Sequence, residues 1–292
     1  MSTEVDSAPN LSALYLKAVT SGPLRRGGEL PQTEYVRRGI EIDQAHLAEY
    51  NRVCGFGLRD ELPPTYPHVL SFGLSVRLMT DPGFPFPLVG LVHVANSITV
   101  HRPLRVTDVL DQRVRVANLR AHPKGKQLDV IAETSVGGEL VWSETSTYLR
   151  RGKPDDSAPH AERAAEVEPG APTATWRVPG DQGRRYAAVS GDRNPIHLHP
   201  WSAKVLGFPR AIAHGMWTKA RALAAFDGRL PESFTVDVDF VKPLLLPSTV
   251  EFTEAGPGTG VGPGTGTARP GRDARFAVHS RSGKPHLQGR LR

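Results

Sequence analysis

Asp192 and His197 stand five residues apart in the run Tyr186 to Ala203, YAAVSGDRNPIHLHPWSA, on either side of an Asn194-Pro195 pair. A carboxylate and an imidazole presented together can take a proton from one atom of a small substrate and return it to another. Gly191 lets the chain turn tightly after Ser190 and brings Asp192 toward whatever lies opposite. Pro195 fixes its own φ and biases Asn194 to an extended conformation, which limits how the loop presents the two side chains. The Asn194 amide could hydrogen-bond one of the pair or serve only as an Asx-turn. If Asp192 and His197 converge, one water molecule fits between them.

A second signal follows: Gly207-Phe208-Pro209, then Ile212-Ala213-His214-Gly215-Met216 at the entry of an apolar helix. The first N–H groups of a helix lack intrahelical partners, and the dipole there favours negative charge. Gly215 would let a carbonyl oxygen approach that backbone closely. Such a site suits the enolate-like oxyanion formed when a proton leaves, or joins, the carbon beside a thioester carbonyl. Tyr186, Ser190, His214 and Met216 flank these groups and are candidate substrate contacts, Tyr186 equally a residue that packs the loop. His197, His199 and His214 raise a chelating site, but no carboxylate beyond Asp192 accompanies them, so no metal is expected. Arg184, Arg185 and Lys219 are read as solvated surface, with a phosphate contact as the other reading.

The 292 residues suffice for one large domain or two ordinary ones. Hydrophobic residues at 39% and charged residues at 23% are ordinary for a globular protein, while 29 Gly and 26 Pro foretell many turns. No run approaches the roughly 18 apolar residues that cross a bilayer, so membrane insertion is not expected. No secretory signal is visible, and one cysteine, Cys54, excludes an internal disulfide and fits a reducing cytoplasm. The net charge of +6 comes from scattered arginines and no long cluster, which argues against nucleic acid and admits an acidic small-molecule substrate.

The positioning elements fall into two halves. Arg151 to Ala174 is rich in Pro, Ala and charge and reads as a linker between a domain at 1–150 and another at 175–292. Tyr50 to Phe56 lines up with Tyr186 to Asp192 at an offset of 189 − 53 = 136, and Val100 to Leu104 with Phe240 to Leu244 at 243 − 103 = 140. Two matches in the same order support a duplication. Each half shows one helical segment, His68 to Met79 and Gly215 to Phe226, followed by strand-like runs. These runs are 90–101, 109–121, 127–136 and 139–149, then 233–242, 248–253, 274–280 and 287–291. One helix wrapped by an antiparallel sheet, twice over, is an α+β plan. The Gly/Pro/Thr stretch 255–272 has no phosphate-loop pattern and reads as an inter-strand loop.

Tyr186-x-x-Val189-Ser190-Gly191-Asp192-x-Asn194-Pro195-Ile196-His197, with Ala203 six residues on, resembles the hydratase signature of the MaoC-like family. That family comprises (R)-specific enoyl-CoA hydratases and 3-hydroxyacyl-thioester dehydratases. The Gly207-Phe208 and Ile212 to Met216 stretch is similar to its central-helix entry. The resemblance implies a double hot-dog fold, two curved antiparallel sheets each wrapping a helix, with the catalytic loop kept in one half. It implies Asp192 and His197 as the catalytic pair, Asn194 as a positioning residue and the Gly215 N–H as oxyanion donor. It further implies reversible hydration of trans-2-enoyl thioesters carried on CoA or acyl-carrier protein, without a cofactor. Phe56 stands where a second Asp192 would be, and Arg59-Asp60-Glu61-Leu62 offers no N-P-x-H, so the first half becomes a scaffold that helps house the acyl chain. A non-catalytic thioester-binding subunit and a hot-dog thioesterase are the alternatives. A fused pair already supplies the pairing of hot-dog units, and a homodimer of such protomers is compatible with it.

Overall fold

The structure, a computed structural model, describes residues 2–11, 13–15, 28–153, 158, 171–255 and 274–292. The alternating, β-branched runs form strands close to their expected limits: β3 (Leu91–Val100), β4 (Leu110–His122), β5 (Gly125–Val136) and β6 (Glu139–Arg151) in the first half. In the second half they are β8 (Phe234–Phe240), β9 (Ser248–Ala255), β10 (Arg275–Ser280) and β11 (Pro285–Leu291). Three further strands, β1 (Ser2–Glu4), β2 (Glu34–Ile40) and β7 (Ala174–Val178), lie at the sheet margins. Arg37-Arg38 and Arg177 interrupt the apolar alternation of β2 and β7, which is why the pattern did not disclose them.

All these strands join one sheet in the order β1-β2-β4-β5-β6-β3-β8-β11-β10-β9-β7. From β2 inward and from β7 inward the order is the same in each half. The halves meet where β3 and β8 pair antiparallel, with Ser97 opposite Asp237. Since 237 − 97 = 140, the offset of the repeat, Ser97 pairs with its own equivalent about a local twofold. The Ser97 hydroxyl donates to Asp237 Oδ1 at 2.6 Å across that point. This is an α+β double hot-dog.

The helices are α1 (Gln44–Cys54), α2 (Tyr66–Met79), α3 (Gln182–Ser190), α4 (Pro195–Leu198), α5 (Pro200–Val205) and α6 (Gly215–Ala224). Helix α2 packs on β2, β4 and β5, and α6 on β10 and β11. Apolar and small residues surround α2 on nearly every face, as a helix enclosed by its sheet requires. One helix in each half was expected, and the structure corrects this. Helix α1 buries Leu47, Tyr50, Asn51 and Cys54 along one stripe and is capped by Asp43, which accepts the Ala45 and His46 N–H groups. Half of the residues that α3 buries are small, Gly183, Ala187 and Ser190, so it carries little apolar signal.

Helices α1 and α3 end alike. Gly55 (φ 86°) closes α1 by donating to Asn51 O, and Gly191 (φ 74°) closes α3 by donating to Ala187 O. Here 187 − 51 = 136, so the first repeat match is a repeated helix C-terminus rather than a loop. Burial pushes the Cys54 thiol up to about 12, in keeping with a packed apolar residue. No described helix is long and apolar enough to cross a membrane. Most of the 151–174 segment and nearly all of 255–272 lie outside the described residues.

Lys219 is neither solvated surface nor free for a phosphate. It is fully buried in α6 and donates to Asn96 Oδ1, Asn96 O (3.3 Å) and Val236 O (3.1 Å). The Asn96 amide donates in turn to Glu144, whose other oxygen accepts from His68 Nδ1 at 2.9 Å. Burial lowers the Lys219 ammonium to about 7, against the opposing pull of Glu144 and Asp237. Arg184 and Arg185 are exposed; Arg184 donates to Leu198 O and Arg185 pairs with Asp181. Lys219→Met would remove the ammonium that donates to Asn96 Oδ1 and to the Asn96 and Val236 carbonyls, and leave Glu144 without its nearby buried cation. It should cost about 3 kcal/mol, read as a lower urea midpoint with an unchanged slope.

Candidate active site

The site is built from the end of α3 onward. After the Gly191 cap, the Asp192 N–H donates to Ser190 Oγ (3.2 Å), and the Asn194 N–H donates to Asp192 Oδ1 (3.1 Å). The Asn194 side chain caps α4 by accepting the Ile196 N–H at 3.4 Å, so its amide forms the Asx-turn while its backbone holds the carboxylate. Pro195 starts α4, which carries the buried His197. Burial under α3 fixes this turn in place: a Cβ on Gly183 would stand 1.9 Å from His197 O.

The next contacts set the imidazoles. His197 Nδ1 lies 2.8 Å from Ile212 O, and a carbonyl can only accept, so Nδ1 carries the hydrogen and Nε2 keeps its lone pair. Ile212 is itself pinned by its N–H to Ile196 O, and Ala213 by its N–H to Leu244 O. His214, at the N-cap of α6, donates from Nε2 to Asp192 O at 2.9 Å, and its ring stacks on His197 with centroids 3.7 Å apart. Ligand atoms of Asp192, His197 and His214 lie within 4.8 Å of one another. His199 takes no part in that cluster. It is exposed and caps α5 by accepting the Trp201 N–H.

Burial would raise the Asp192 carboxyl, but neighbouring His214 and His197, the Tyr15 hydroxyl and the Asn194 N–H together hold it below its ordinary value. Burial lowers His197, outweighing Asp192, and lowers His214 to about 3. At neutral pH the site therefore holds one carboxylate and two neutral imidazoles.

Tyr186, Ser190, Asp192, Asn194, His197, His214, Gly215 and Met216 all line one cavity of about 670 Å³. Gly215 opens α6, and a Cβ there would meet the Phe240 ring at 2.9 Å, so only glycine leaves the first-turn backbone accessible beside that ring. The first half contributes Phe72, His93 and Tyr148 to the same cavity, with Arg120, Lys124 and Arg150 also in its lining. At the matching helix end of the first half Phe56 stacks on Tyr50, whose hydroxyl donates to Thr65 Oγ1 at 2.8 Å. Sequence reasoning missed the Ile212 carbonyl, Gly183, Phe240 and Tyr15. A small residue facing a helix contact was the available sign of Gly183, and nothing in the sequence pointed to Tyr15.

The sheet that meets itself about a local twofold, with a cavity lined from α4 and α6, defines the double hot-dog architecture. Residues 156–262 match the model of the MaoC like domain. The chain is 39% identical over 227 residues to 3-hydroxyacyl-thioester dehydratase X of Mycobacterium tuberculosis, covering 77% of this chain and 80% of that protein. The crystal structure of HtdX of Mycobacterium tuberculosis superposes with a TM-score of 0.74 at 35% identity, over 89% of this chain and 99% of the other. A Mycobacterium tuberculosis protein described as a double hot-dog shares the fold at 15% identity, with a TM-score of 0.55 over 92% of this chain and 96% of that one. The chain belongs to the MaoC-like dehydratase family.

His93, like His214, is lowered by burial to about 3 from an ordinary 6.5. Between those values the unfolded chain binds protons that the fold does not. The stability that the neutral rings contribute is whole above pH 6.5 and is lost as pH falls toward 3. Thermal midpoints should drop steadily from about pH 6.5 downward, and His93→Phe should flatten the drop. An equally steep profile in the variant would remove His93 from this account.

Proposed function

We propose that the protein is a hydro-lyase that adds water reversibly to trans-2-enoyl thioesters, giving (R)-3-hydroxyacyl thioesters on CoA or acyl-carrier protein. The observation that carries this reading is the convergence of the Asp192 carboxylate and the His197 Nε2 lone pair on a cavity that also holds Gly215 at the start of α6. Family membership supports it, since the relative above is named for the dehydration direction.

With both groups unprotonated at rest, the proton needed at the α-carbon comes from the attacking water. Asp192 and His197 hold that water, and one of them takes its proton as oxygen bonds to the β-carbon. The same proton is then delivered to the α-carbon on the same face, so addition is syn and the site returns to its starting state. Electron density that collects on the thioester oxygen meanwhile meets the Gly215 N–H and the positive end of α6. Dehydration runs these steps backward. His214 holds the Asp192 backbone, and Ser190 and Asn194 set the carboxylate; Tyr186 and Met216 line the acyl path.

In this reading residues 1–150 form a hot-dog unit without a catalytic loop, 151–174 join the units, and 175–292 carry the single working site. The first half's share of the cavity houses the acyl chain. A cytoplasmic protein and a homodimer of double hot-dog protomers complete the proposal, the latter measurable by sedimentation.

Loss of the enoyl absorbance of crotonyl- and decenoyl-thioesters is the direct assay. Asp192→Asn and His197→Gln should each lower kcat by about 10²- to 10⁴-fold. Absorbance that persists across chain lengths with wild-type protein sinks the reaction, and release of free thiol without hydration would point to a thioesterase. Gly183→Ala, which touches no substrate, should cost about 10²-fold by displacing His197. Because His197 and Asp192 both sit below their ordinary values, activity should stay flat through pH 6.5, the ordinary imidazole value, and fall only below it.

A further inference from the structure

The N-terminal arm reaches the site from outside the catalytic half. Residues Ser2–Glu4 pair in parallel with β2, and the Val5 N–H continues that ladder to Val36 O at 2.8 Å. The chain then crosses α2, where Pro9 lies against Gly73: a Cβ on that glycine would meet Pro9 Cδ at 3.0 Å. Asn10 closes a turn by accepting the Ala13 N–H on its side chain and the Leu14 N–H on its carbonyl. Leu11 packs on Gly191, the cap of α3, so closely that a Cβ there would stand 2.3 Å from Leu11 Cδ1. The arm ends its course with the Tyr15 hydroxyl donating to Asp192 Oδ1 at 2.8 Å.

Two donors thus converge on one carboxylate oxygen. Oδ1 accepts from Tyr15 and from the Asn194 N–H, while Oδ2 stands 3.8 Å from His214 Nε2 and makes no closer bond among the described residues. A carboxylate whose one oxygen is tied from two sides cannot rotate freely, and its other oxygen is left for substrate or water. Tyr15 lies outside the lining of the cavity, which stays open with the phenol in place. That geometry is of a brace behind the carboxylate, not of a plug in front of it.

We propose that Tyr15 is a positioning residue for Asp192, so that the N-terminal arm, belonging to the half without a catalytic loop, is a working part of the site in the other half. The glycines at 73 and 191 are the seats that let the arm lie close enough. Gly191 therefore serves twice, as the left-handed cap of α3 and as the floor under Leu11. Besides Tyr15, the titratable groups around Asp192 are His214 and His197, with His93 on β3, Tyr148 on β6 and Tyr186 on α3 within range of its charge. The Tyr15 proton stays on the phenol, since burial and the Asp192 charge both raise its loss well above neutral pH.

The test compares wild type with Tyr15→Phe, which removes the hydroxyl and keeps the ring, and with Leu11→Asp, which unseats the arm. Loss of a hydrogen bond to a charged group should move the Asp192 titration up by about one pH unit, followed by ¹³C NMR of labelled aspartate carboxyls with Asp192→Asn as the assignment control. In the thioester assay, kcat should fall about ten-fold with KM nearly unchanged, and the acid limb should move to higher pH. Tyr15→His, which can still donate, should recover part of both effects. An Asp192 titration unmoved in Tyr15→Phe at an unchanged melting temperature overturns the proposal, as does a rise in kcat, the mark of a plug. The kinetic arm rests on the reaction proposed above, whereas the NMR arm does not. A shifted titration in a protein inert toward enoyl thioesters would overturn the reaction and leave Tyr15 in its role.

Discussion

An imidazole can offer a lone pair only from the nitrogen that carries no hydrogen, and in this site backbone carbonyls decide which nitrogen that is. Ile212 O claims the hydrogen of His197 Nδ1, and Asp192 O claims that of His214 Nε2. The two claims are interlocked. His214 holds the backbone of the very residue whose carboxylate faces His197, and the two rings stack. Shift the Ile212 segment and the His197 tautomer is no longer enforced; shift α6 and the Asp192 backbone loses its partner. The cavity, the helix entry and the 244–246 segment that pairs with 211–213 exist around this double constraint.

On the reading proposed above, duplication left such a site in one half and none in the other. Both halves end a helix on a left-handed glycine and set a tyrosine one turn before it, Tyr50 and Tyr186, with ring centroids 6.4 Å apart across the local twofold. They diverge in the connection to the enclosed helix. In the first half it takes 65 − 54 = 11 residues and in the second 214 − 190 = 24. The longer connection makes room for α4, which carries His197, for α5, and for Ile212, whose carbonyl holds the imidazole. In the shorter one, Phe56 covers Tyr50 and Thr65 takes its hydroxyl, so that phenol is already engaged within its own half.

Much of this was legible in the chain because strands on a half-buried sheet alternate, and because Asp192, Asn194-Pro195 and His197 lie close in sequence. The second match of the repeat gave the offset of 140, and the pairing of β3 with β8 then shows that Ser97 and Asp237, so related, meet at the twofold. Partners distant in sequence were not legible. Lys219 looked like a surface cation because its acceptors, Asn96 and Val236, belong to strands whose pairing no local pattern discloses. Helix α3 hid for a different reason: Gly183, Ala187 and Ser190 bury small surfaces, and closeness to α4 rather than apolar area is what holds them. Tyr15 had no signal at all, since an arm laid over a finished surface obeys no periodicity of its own.

The same low-dielectric interior supports two polar systems with opposite designs. Around Lys219, Asn96, Glu144 and His68, a donor meets an acceptor at each named link, a cation faces an anion, and the network ties α6 to the sheet and to α2. Around Asp192 the neighbours are neutral rings, and three acidic or basic groups are drawn together without a compensating cation. Such a cluster is stable only because each ring keeps one nitrogen bonded to backbone and the carboxylate accepts from both Asn194 and Tyr15. Among the described residues, His214 Nδ1 and the Tyr186 hydroxyl are buried without a partner, and the His197 Nε2 lone pair and Asp192 Oδ2 face the same cavity. A cavity wall that leaves such groups unsatisfied has a free energy to recover, and water or a polarised substrate is what recovers it.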